Sequence, residues 1–340
     1  MRTRSLVIGL LTAIALVAGA GGGYWVWWAG QLERGIAQWR ELQRLRGFEI
    51  IYDGPAIDGF PLAHEARFDA PAIHWPDGPI WRGPALSARA ALWDPATIAI
   101  SFAGRHVVER LNAGRLGAMT LDSREADGLL RLRADGRLES ADAILLGLDV
   151  LAEPLGRFAS ESLHVSLTPD YSPETGFVLG HAFAVETSEV QVPAALAAPL
   201  DPTGDWIRAV GRLDGVLPQD VPLLALAAWR DNGGALTLER VEVEWPPLGL
   251  SANGRLTLDD QLRPQGQLAA RIAGLPELLD RLVASELMTA QQATSIKLGV
   301  LAFSGERDDK GRPVLAVPLI LRAGVLSLGP FPLARISPVL

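Results

Sequence analysis

The residues whose side chains could perform acid–base or metal chemistry are scattered along this sequence. None of the five histidines stands at His-x-His or His-x-x-x-His spacing or in a cluster with carboxylates. A metal site usually draws some of its ligands from such spacings, because neighbouring positions on one element can reach one ion. The histidines are His64, His74, His106, His164 and His181. The sequence therefore predicts no metal site.

Motifs for nucleophilic catalysis and for cofactor binding are also missing. The sequence has no cysteine, which excludes thiolate nucleophiles and disulfides. It contains no Gly-x-Ser-x-Gly elbow, P-loop or dinucleotide fingerprint. The acidic pairs Asp259-Asp260 and Asp308-Asp309 lie in polar segments typical of turns. We expect no catalytic residue and no cofactor; two carboxylates that meet only in the folded chain, as in a glycosidase, are the alternative.

The composition argues against a nucleic-acid partner. Hydrophobic residues make up 49% of the 340 positions, and the net charge is −8. The sequence has no Lys/Arg-rich run that could neutralise a phosphate backbone. The length is sufficient for one long β domain or two smaller ones.

The elements that would position any site begin with an apolar N-terminal segment. Arg2 and Arg4 precede a charge-free run over residues 6–28. A helix over this run is about 34 Å long, enough to cross a hydrocarbon layer of about 30 Å. The arginines predict a cytoplasmic stub at residues 1–5, a single-pass signal anchor at 6–28 and export of the rest to the periplasm. The residues expected at the far membrane interface are Tyr24, Trp25, Trp27 and Trp28.

A cleaved signal peptide is the alternative interpretation of the same segment. Ala18-Gly19-Ala20 is an acceptable small-residue cleavage site after a short apolar region. The apolar run continues beyond that site into the aromatic residues, which favours the uncleaved anchor in the inner membrane. Both interpretations place the remaining chain outside the cytoplasm.

An amphipathic helix is predicted at residues 29–47. Its apolar positions are Leu32, Ile36, Trp39, Leu42 and Leu45, spaced by three or four residues. Gly47 is a plausible C-cap. We expect this helix to continue from the membrane span as a stalk and to dock on the start of a sheet.

Residues 48–340 read as a periplasmic β domain. From Leu248 to Leu258 the side chains alternate between apolar and polar or small, the strongest strand signal in the chain. Successive strands without long intervening helices favour antiparallel meanders. The predicted fold is mainly β, a long curved antiparallel sheet in the form of a groove, open barrel or sandwich. Short helices are expected after Val192, Val221 and Leu275, each starting at a proline, and residues 188–204 are a possible subdivision.

A β-bulge is predicted where the alternation changes phase. Leu236 and Leu238 are out of phase with Val241, Val243 and Trp245. One extra residue near Glu239-Arg240 would return all five side chains to one face.

An apolar groove is the candidate site. Its expected lining residues, on one face of two predicted strands, are Leu248, Leu250, Leu256, Leu258, Leu268 and Ile272. A sheet with one apolar face must fold over itself or bind an apolar ligand. The alternative is that these residues form a closed sandwich core.

Two blocks of the sequence carry a family resemblance. The first comprises Trp39, Gly47-Phe48, Tyr52, Asp58-Gly59-Phe60-Pro61, Pro71, Trp81, Pro84, Trp93 and Pro95. The second comprises Trp229, Asn232-Gly233-Gly234, Leu236, Trp245-Pro246, Gly254, Leu258, Pro264, Gly266, Gly274, Pro318-Leu319, Gly324 and Gly329-Pro330. They resemble domain-of-unknown-function family 2125, bacterial membrane-anchored proteins found mostly in alphaproteobacteria. Residues 62–64 depart from the family pattern.

The resemblance implies no catalytic residues. More distantly, the strand–turn–strand style is similar to AsmA-like envelope proteins, which implies a membrane helix and an apolar-faced sheet linked to lipid transport. We therefore expect a non-enzymatic protein that binds or moves lipid for envelope homeostasis. Its expected partners are the bilayer and phospholipid or envelope proteins, with no nucleic acid. The alternatives are an envelope scaffold or assembly factor with a closed core, and a periplasmic hydrolase.

Overall fold

The computed structural model describes residues 2–76, 78–109, 117–215, 222–328 and 331–338, without side chains at 2–21, 222–225, 303 and 331–334. The fold is mainly β, and the strands are antiparallel in every pairing described below. This confirms the predicted fold class of a long antiparallel sheet with few helices. The chain divides into two units, Met1–Arg137 and Leu138–Leu340. Residues 188–204, considered as a subdivision from sequence, connect two paired strands within the second unit.

In the part of the first unit that the structure describes, a long helix, α1, is followed by eight strands. The bounds are α1 Arg2–Leu45, β1 Glu49–Asp58, β2 Ala63–His74, β3 Ile80–Arg82, β4 Leu86–Ala91, β5 Asp94–Ser101, β6 Gly104–Glu109, β7 Ala118–Ser123 and β8 Glu125–Leu132. β2 is central, because it pairs with β1 along one edge and with β3 and β4 along the other. The sheet continues from β4 to β5 and β8, and from β3 to β6 and β7.

Helix α1 ends as its sequence predicts. Gly47 has a φ of +87°, a conformation that glycine adopts without steric cost. The amides of Gly47 and Phe48 donate to the carbonyls of Arg44 and Gln43, each at 3.0 Å, and satisfy the end of the helix. Arg40 lies over the ring of Tyr52 on β1, 5.2 Å from its centroid. The helix therefore docks at the start of the sheet.

The predicted membrane span at 6–28 lies mostly among residues whose side chains are outside the described part of the chain. Among the described residues, no helix combines the length and the apolar character needed to cross a bilayer. Of the predicted amphipathic stripe, Leu32 and Ile36 are half-buried. Trp39, Leu42 and Leu45 are exposed.

The described residues of the second unit form eleven strands and four helices. The bounds are β9 Leu138–Ala152, β10 Gly156–Tyr171, β11 Val178–Gln191, α2 Ala194–Ala197, β12 Thr203–Asp214, α3 Pro222–Asp231, β13 Ala235–Trp245, β14 Leu248–Leu258, β15 Pro264–Ala273, α4 Leu275–Ala284, α5 Ala290–Phe303, β16 Glu306–Arg307, β17 Pro313–Arg322, β18 Val325–Leu328 and β19 Phe331–Arg335. Each strand from β9 to β15 pairs with the next. β17 pairs with β15, β16 and β18, and β18 pairs with β19.

The helices of this unit follow local sequence signals. Helices α2, α3 and α4 form at the three predicted proline starts. Helix α5 was not predicted. Its N-terminus is closed by a capping box: the Gln292 backbone amide donates to the Thr289 hydroxyl, and the Thr289 backbone amide donates to the Gln292 side-chain oxygen.

The predicted bulge is confirmed in β13. Leu238 pairs with Gly254 and Val241 with Ala252, so three steps along β13 match two along β14. The register between β12 and β13 shifts at the same place, between Val210 and Gly211. The extra residue keeps the apolar side chains of β13 on one side of the sheet.

Candidate functional site: the apolar sheet face of the second unit

One line of apolar side chains crosses the centre of the second unit. Leu250 on β14 lies directly opposite Val243 on β13 and Ile272 on β15. The line continues to Ile207 on β12 and to Leu315 on β17. Directly opposed residues of antiparallel strands lie on the same face. Five adjacent strands therefore place a leucine or β-branched apolar residue in one row.

Two parallel rows extend the same face. One consists of Ala143, Val165, Val185, Ala209, Val241, Ala252, Ala270 and Val317. The other consists of Ala141, Leu167, Phe183, Gly211, Leu238, Gly254, Leu268, Leu319 and Leu328. We call these three rows, together with Leu248, Leu256 and Leu258 on the same side of β14, the apolar face. It reaches from β9 to β18.

The six residues predicted to line a groove all belong to this apolar face. Four of them, on one side of β14, are Leu248, Leu250, Leu256 and Leu258. The first three lie opposite Trp245, Val243 and Leu236 on β13, in that order. Leu258 lies opposite Pro264 on β15. Leu268 and Ile272 alternate along β15. The structure thus brings the six side chains together on one side of two neighbouring strands.

The apolar face is only partly covered by the protein. Ile272 and Leu258 are 8% and 9% exposed, whereas Leu248, Leu250, Leu256 and Leu268 are half-buried. Large aliphatic residues in a closed core are commonly more than 95% buried. Among the described residues, no large side chain is less than 2% exposed. The exposure of these side chains is therefore closer to that of an accessible apolar surface than to that of a closed core.

Gly254 holds β14 and β15 close together in the third row, the one that runs from Ala141 to Leu328. A Cβ at Gly254 would lie 2.3 Å from the carbonyl oxygen of Gln267 on β15 and 3.0 Å from the Leu268 side chain. No larger residue fits without moving the strands. Leu268 therefore lies over a flat part of the face where its neighbour contributes no side chain.

The opposite side of the same sheet is charged. Arg208 pairs with Glu186 across β12 and β11 at 2.8 Å, and Arg212 pairs with Asp170 at 2.8 Å. Arg271 on β15 pairs with Glu306 on β16. These exposed pairs keep this side solvated, so the two sides of the sheet differ in chemistry.

The most buried ion-pair cluster also lies on this charged side. Glu244 on β13 is 8% exposed. Its carboxylate accepts hydrogen bonds from Arg312 at 3.0 Å and Lys310 at 2.7 Å, and Arg312 donates to Asp308 at 2.6 Å. Burial alone would raise the pKa of Glu244, but the hydrogen bonds from Arg312 and Lys310 outweigh it and lower this pKa. The cluster fixes the turn before β17 against β13.

The acidic pairs noted in the sequence are parts of turns. The hydrogen bond from Arg263 is the main cause of the lowered pKa of Asp259. Arg263 contacts that carboxylate at 2.7 Å across the turn between β14 and β15. Asp308 accepts from the backbone amides of Lys310 and Arg312 in the turn before β17. Both carboxylates therefore stabilise local turns.

The predicted interfacial aromatic residues separate into two pairs in the first unit. Tyr24 and Trp27 stack on each other with centroids 6.3 Å apart and are 52% and 56% exposed. Trp25 donates its indole hydrogen bond to the carbonyl of Ala63 at 2.7 Å. Trp25 and Trp28 both contact the ring of His64, with centroids 5.1 and 5.8 Å away. Two of the four aromatics thus attach α1 to β2.

The contact between His64 and Trp25 was not indicated by the sequence. The His64 side chain is 8% exposed, and its Nε2 lies 3.2 Å from the carbonyl oxygen of Trp25. The two residues are 39 positions apart, so no local spacing signals the contact. Across the described part of the chain, no group of three or more His, Asp and Glu side chains is arranged to hold a metal ion.

One comparison with known proteins gives a match. A sequence family described as "Uncharacterized protein conserved in bacteria (DUF2125)" matches residues 25–337, most of the chain. No curated protein and no solved structure matches the chain.

Proposed function

The chain belongs to the uncharacterised bacterial family DUF2125, and from that premise we propose that it is a non-enzymatic periplasmic protein, anchored in the inner membrane, that binds lipid acyl chains on its apolar face. The observation that carries this proposal is the partial exposure of rows of leucine, isoleucine, valine and phenylalanine across nine neighbouring strands. Monomeric soluble proteins rarely expose continuous apolar surfaces of this kind.

The shape of the exposed surface supports a chain-like ligand. The rows run across the strands, and neighbouring strands are about 4.8 Å apart. The third row, from Ala141 to Leu328, therefore covers a path of about 38 Å over eight strand-to-strand steps. This path is longer than one acyl chain, whose share of a hydrocarbon layer is about 15 Å. Several chains, or both chains of one phospholipid, fit along it.

The chemistry of the carboxylates supports a binding role over hydrolysis. A general acid works best when its pKa lies near the operating pH. Glu244, the buried carboxylate on the charged side, has a lowered pKa because Arg312 and Lys310 hydrogen-bond it despite its burial. Asp259 and Asp308 also have lowered pKa values, set by Arg263 and Arg312 in their turns.

Native mass spectrometry of the full-length protein tests the proposal. The protein, in a non-ionic detergent, is incubated with vesicles of phosphatidylethanolamine and phosphatidylglycerol before measurement. We expect retained phospholipid, reduced by Leu250→Gln and unchanged by Ser251→Gln on the other side of β14. Equal retention in both variants would contradict the apolar face as the site. Retention of a co-purified protein with no phospholipid would favour the scaffold alternative.

A further inference from the structure

A second apolar site is present in the first unit, independent of the apolar face. Tyr24, Trp28, Leu32 and Ile36 project from one side of α1 and form the roof of a cavity of about 430 Å³. The sheet below it contributes side chains of β2, β4 and β5. This volume lies within the range of about 300–1,000 Å³ that is typical of small-molecule sites.

The floor of the cavity consists of small side chains at positions where larger ones would fill it. Ala66 on β2 lies directly opposite Ala88 on β4, and Ala90 lies opposite His64 and Ile98. These residues share one face of the sheet, and Ala66, Ala88 and Ala90 line the cavity. Interior voids in proteins rarely exceed the size of a water molecule. Alanine at three adjoining floor positions therefore leaves space of the size that a ligand needs.

The lining selects an apolar occupant. Apart from the Tyr24 and His64 side chains, the lining residues are aliphatic, aromatic or proline. His64 is engaged through its Nε2 with the carbonyl oxygen of Trp25. A charged group would lose its hydration in such a cavity, and an apolar cavity also holds water poorly. A hydrocarbon has no such favourable hydration to lose on entering the cavity.

The length of the cavity fits one acyl chain. The helix rises about 18 Å from Tyr24 to Ile36, since each residue adds about 1.5 Å. One leaflet contributes about 15 Å to a hydrocarbon layer of about 30 Å. A single extended acyl chain therefore matches the roof in length, whereas a compact ligand would leave part of it empty.

The position of the cavity along the chain favours a membrane lipid as the source of that hydrocarbon. Its roof begins at Tyr24, near the far end of the charge-free segment 6–28 that is predicted to span the membrane. Tyrosine and tryptophan concentrate at the level of lipid headgroups, where acyl chains begin. From the cavity, its lining and this position, we infer that the space between α1 and the alanine floor holds one acyl chain of a membrane lipid.

The test is photolabelling of the full-length protein in vesicles of phosphatidylethanolamine and phosphatidylglycerol that contain a phospholipid with a diazirine in one acyl chain. Adducts are mapped by mass spectrometry, and only those on the floor strands β2 and β4 are scored, because lipid outside the cavity can reach the exposed Tyr24 and Trp27. We expect adducts at or beside Ala66, Ala88 and Ala90. Their absence in the wild-type protein would overturn the inference without any variant.

Filling the cavity provides the second measurement. Ala88→Phe should reduce floor adducts by about tenfold or more, since each methylene excluded from an apolar site weakens binding about fourfold. The matched control is Ala99→Phe, because Ala99 is exposed and lies next to the floor residue Ile98 but on the other side of β5. Persistent floor adducts in folded Ala88→Phe would contradict an acyl chain in the cavity.

The two lipid sites are distinguishable in the same experiment. Adducts on β14 and β15 report the apolar face alone, and adducts on β2 and β4 report the cavity alone. Ala88→Phe is expected to leave the adducts on β14 and β15 unchanged. Either set of adducts can therefore fail while the other persists.

Discussion

Leu250 and Ile272 lie directly opposite each other on β14 and β15, on the side of the sheet away from Ser251 and Arg271. Leu250 is half-buried and Ile272 is 8% exposed. The pair is the middle of a row that continues through Val243 and Leu315. A ligand on this face would contact Leu250 and Ile272, so a substitution at Leu250 should weaken ligand binding. A substitution at Ser251, on the other side of β14, should leave that contact intact. Comparing the two variants therefore distinguishes a loss of binding from a general loss of stability.

The phase of the apolar side chains along β13 is expected to be essential for the apolar face. Deleting Glu239 and Arg240 together would place Val241 directly after Leu238 and turn Val241, Val243 and Trp245 toward the charged side. Misplacing three partly buried apolar side chains should lower the free energy of unfolding by about 4 kcal/mol or more. Urea denaturation of the full-length protein measures this change. Deleting Glu239 alone removes the bulge but leaves Val241 two steps from Leu238 and in phase with it, so this control should lose much less stability; similar losses in both variants would show that the phase is not the cause.

The Glu244 cluster should make stability depend on acidic pH. Glu244 and Asp308 have pKa values lowered from 4.5 and 3.8, because hydrogen bonds from Arg312 outweigh the effect of burial. Their stabilisation is therefore complete above those ordinary values and is lost as the pH falls through the lowered pKa values. Glu244→Gln should cost about 2 kcal/mol at pH 7, and the difference from wild type should shrink at strongly acidic pH.

Urea midpoints at a series of pH values check that prediction. Glu242→Gln is the matched control, since Glu242 lies two residues away on the same side of β13. Its effect should be small and nearly independent of pH. A constant difference between wild type and Glu244→Gln down to strongly acidic pH would refute the proposed linkage.

Trp25 should hold α1 against β2 more strongly than its exposed neighbour Trp27. Trp25→Ala removes the hydrogen bond to Ala63 and the stacking on His64. For this half-buried side chain we expect a loss of about 2 kcal/mol. Hydrogen exchange of the α1 amides from Gly22 to Leu45 should accelerate accordingly. Trp27→Ala should leave the exchange nearly unchanged; equal acceleration would mean that the contact with His64 does not hold the helix.

The face and the bulge could be predicted from sequence because both are local patterns. The alternation from Leu248 to Leu258 fixes which side chains share a side, and the phase change after Leu238 requires one extra residue. The strand period is two, so a few residues suffice to reveal it. The same reasoning identified the proline starts of α2, α3 and α4.

The missed features depend on distant partners or lack a periodic pattern. Helix α5 is apolar on several sides, with Ile296, Leu298 and Leu301 exposed and Val300 buried, so it has no clear helical stripe. Its Thr289-x-x-Gln292 capping box was the readable signal. The contact between Arg312 and Glu244 joins residues 68 positions apart. The alanine floor under α1 likewise exists only once β2 and β4 pair.

Site-specific photo-cross-linking tests the central claim most directly. Benzoylphenylalanine is placed at Leu250 or Leu268 of the full-length protein in the cell membrane, and at Ser251 or Gln267 as matched positions on the charged side. Because only the first two positions belong to the apolar face, irradiation should give phospholipid adducts at Leu250 and Leu268 and few at Ser251 and Gln267. Equal adducts on both sides, or none at Leu250 and Leu268, would contradict lipid binding by the apolar face.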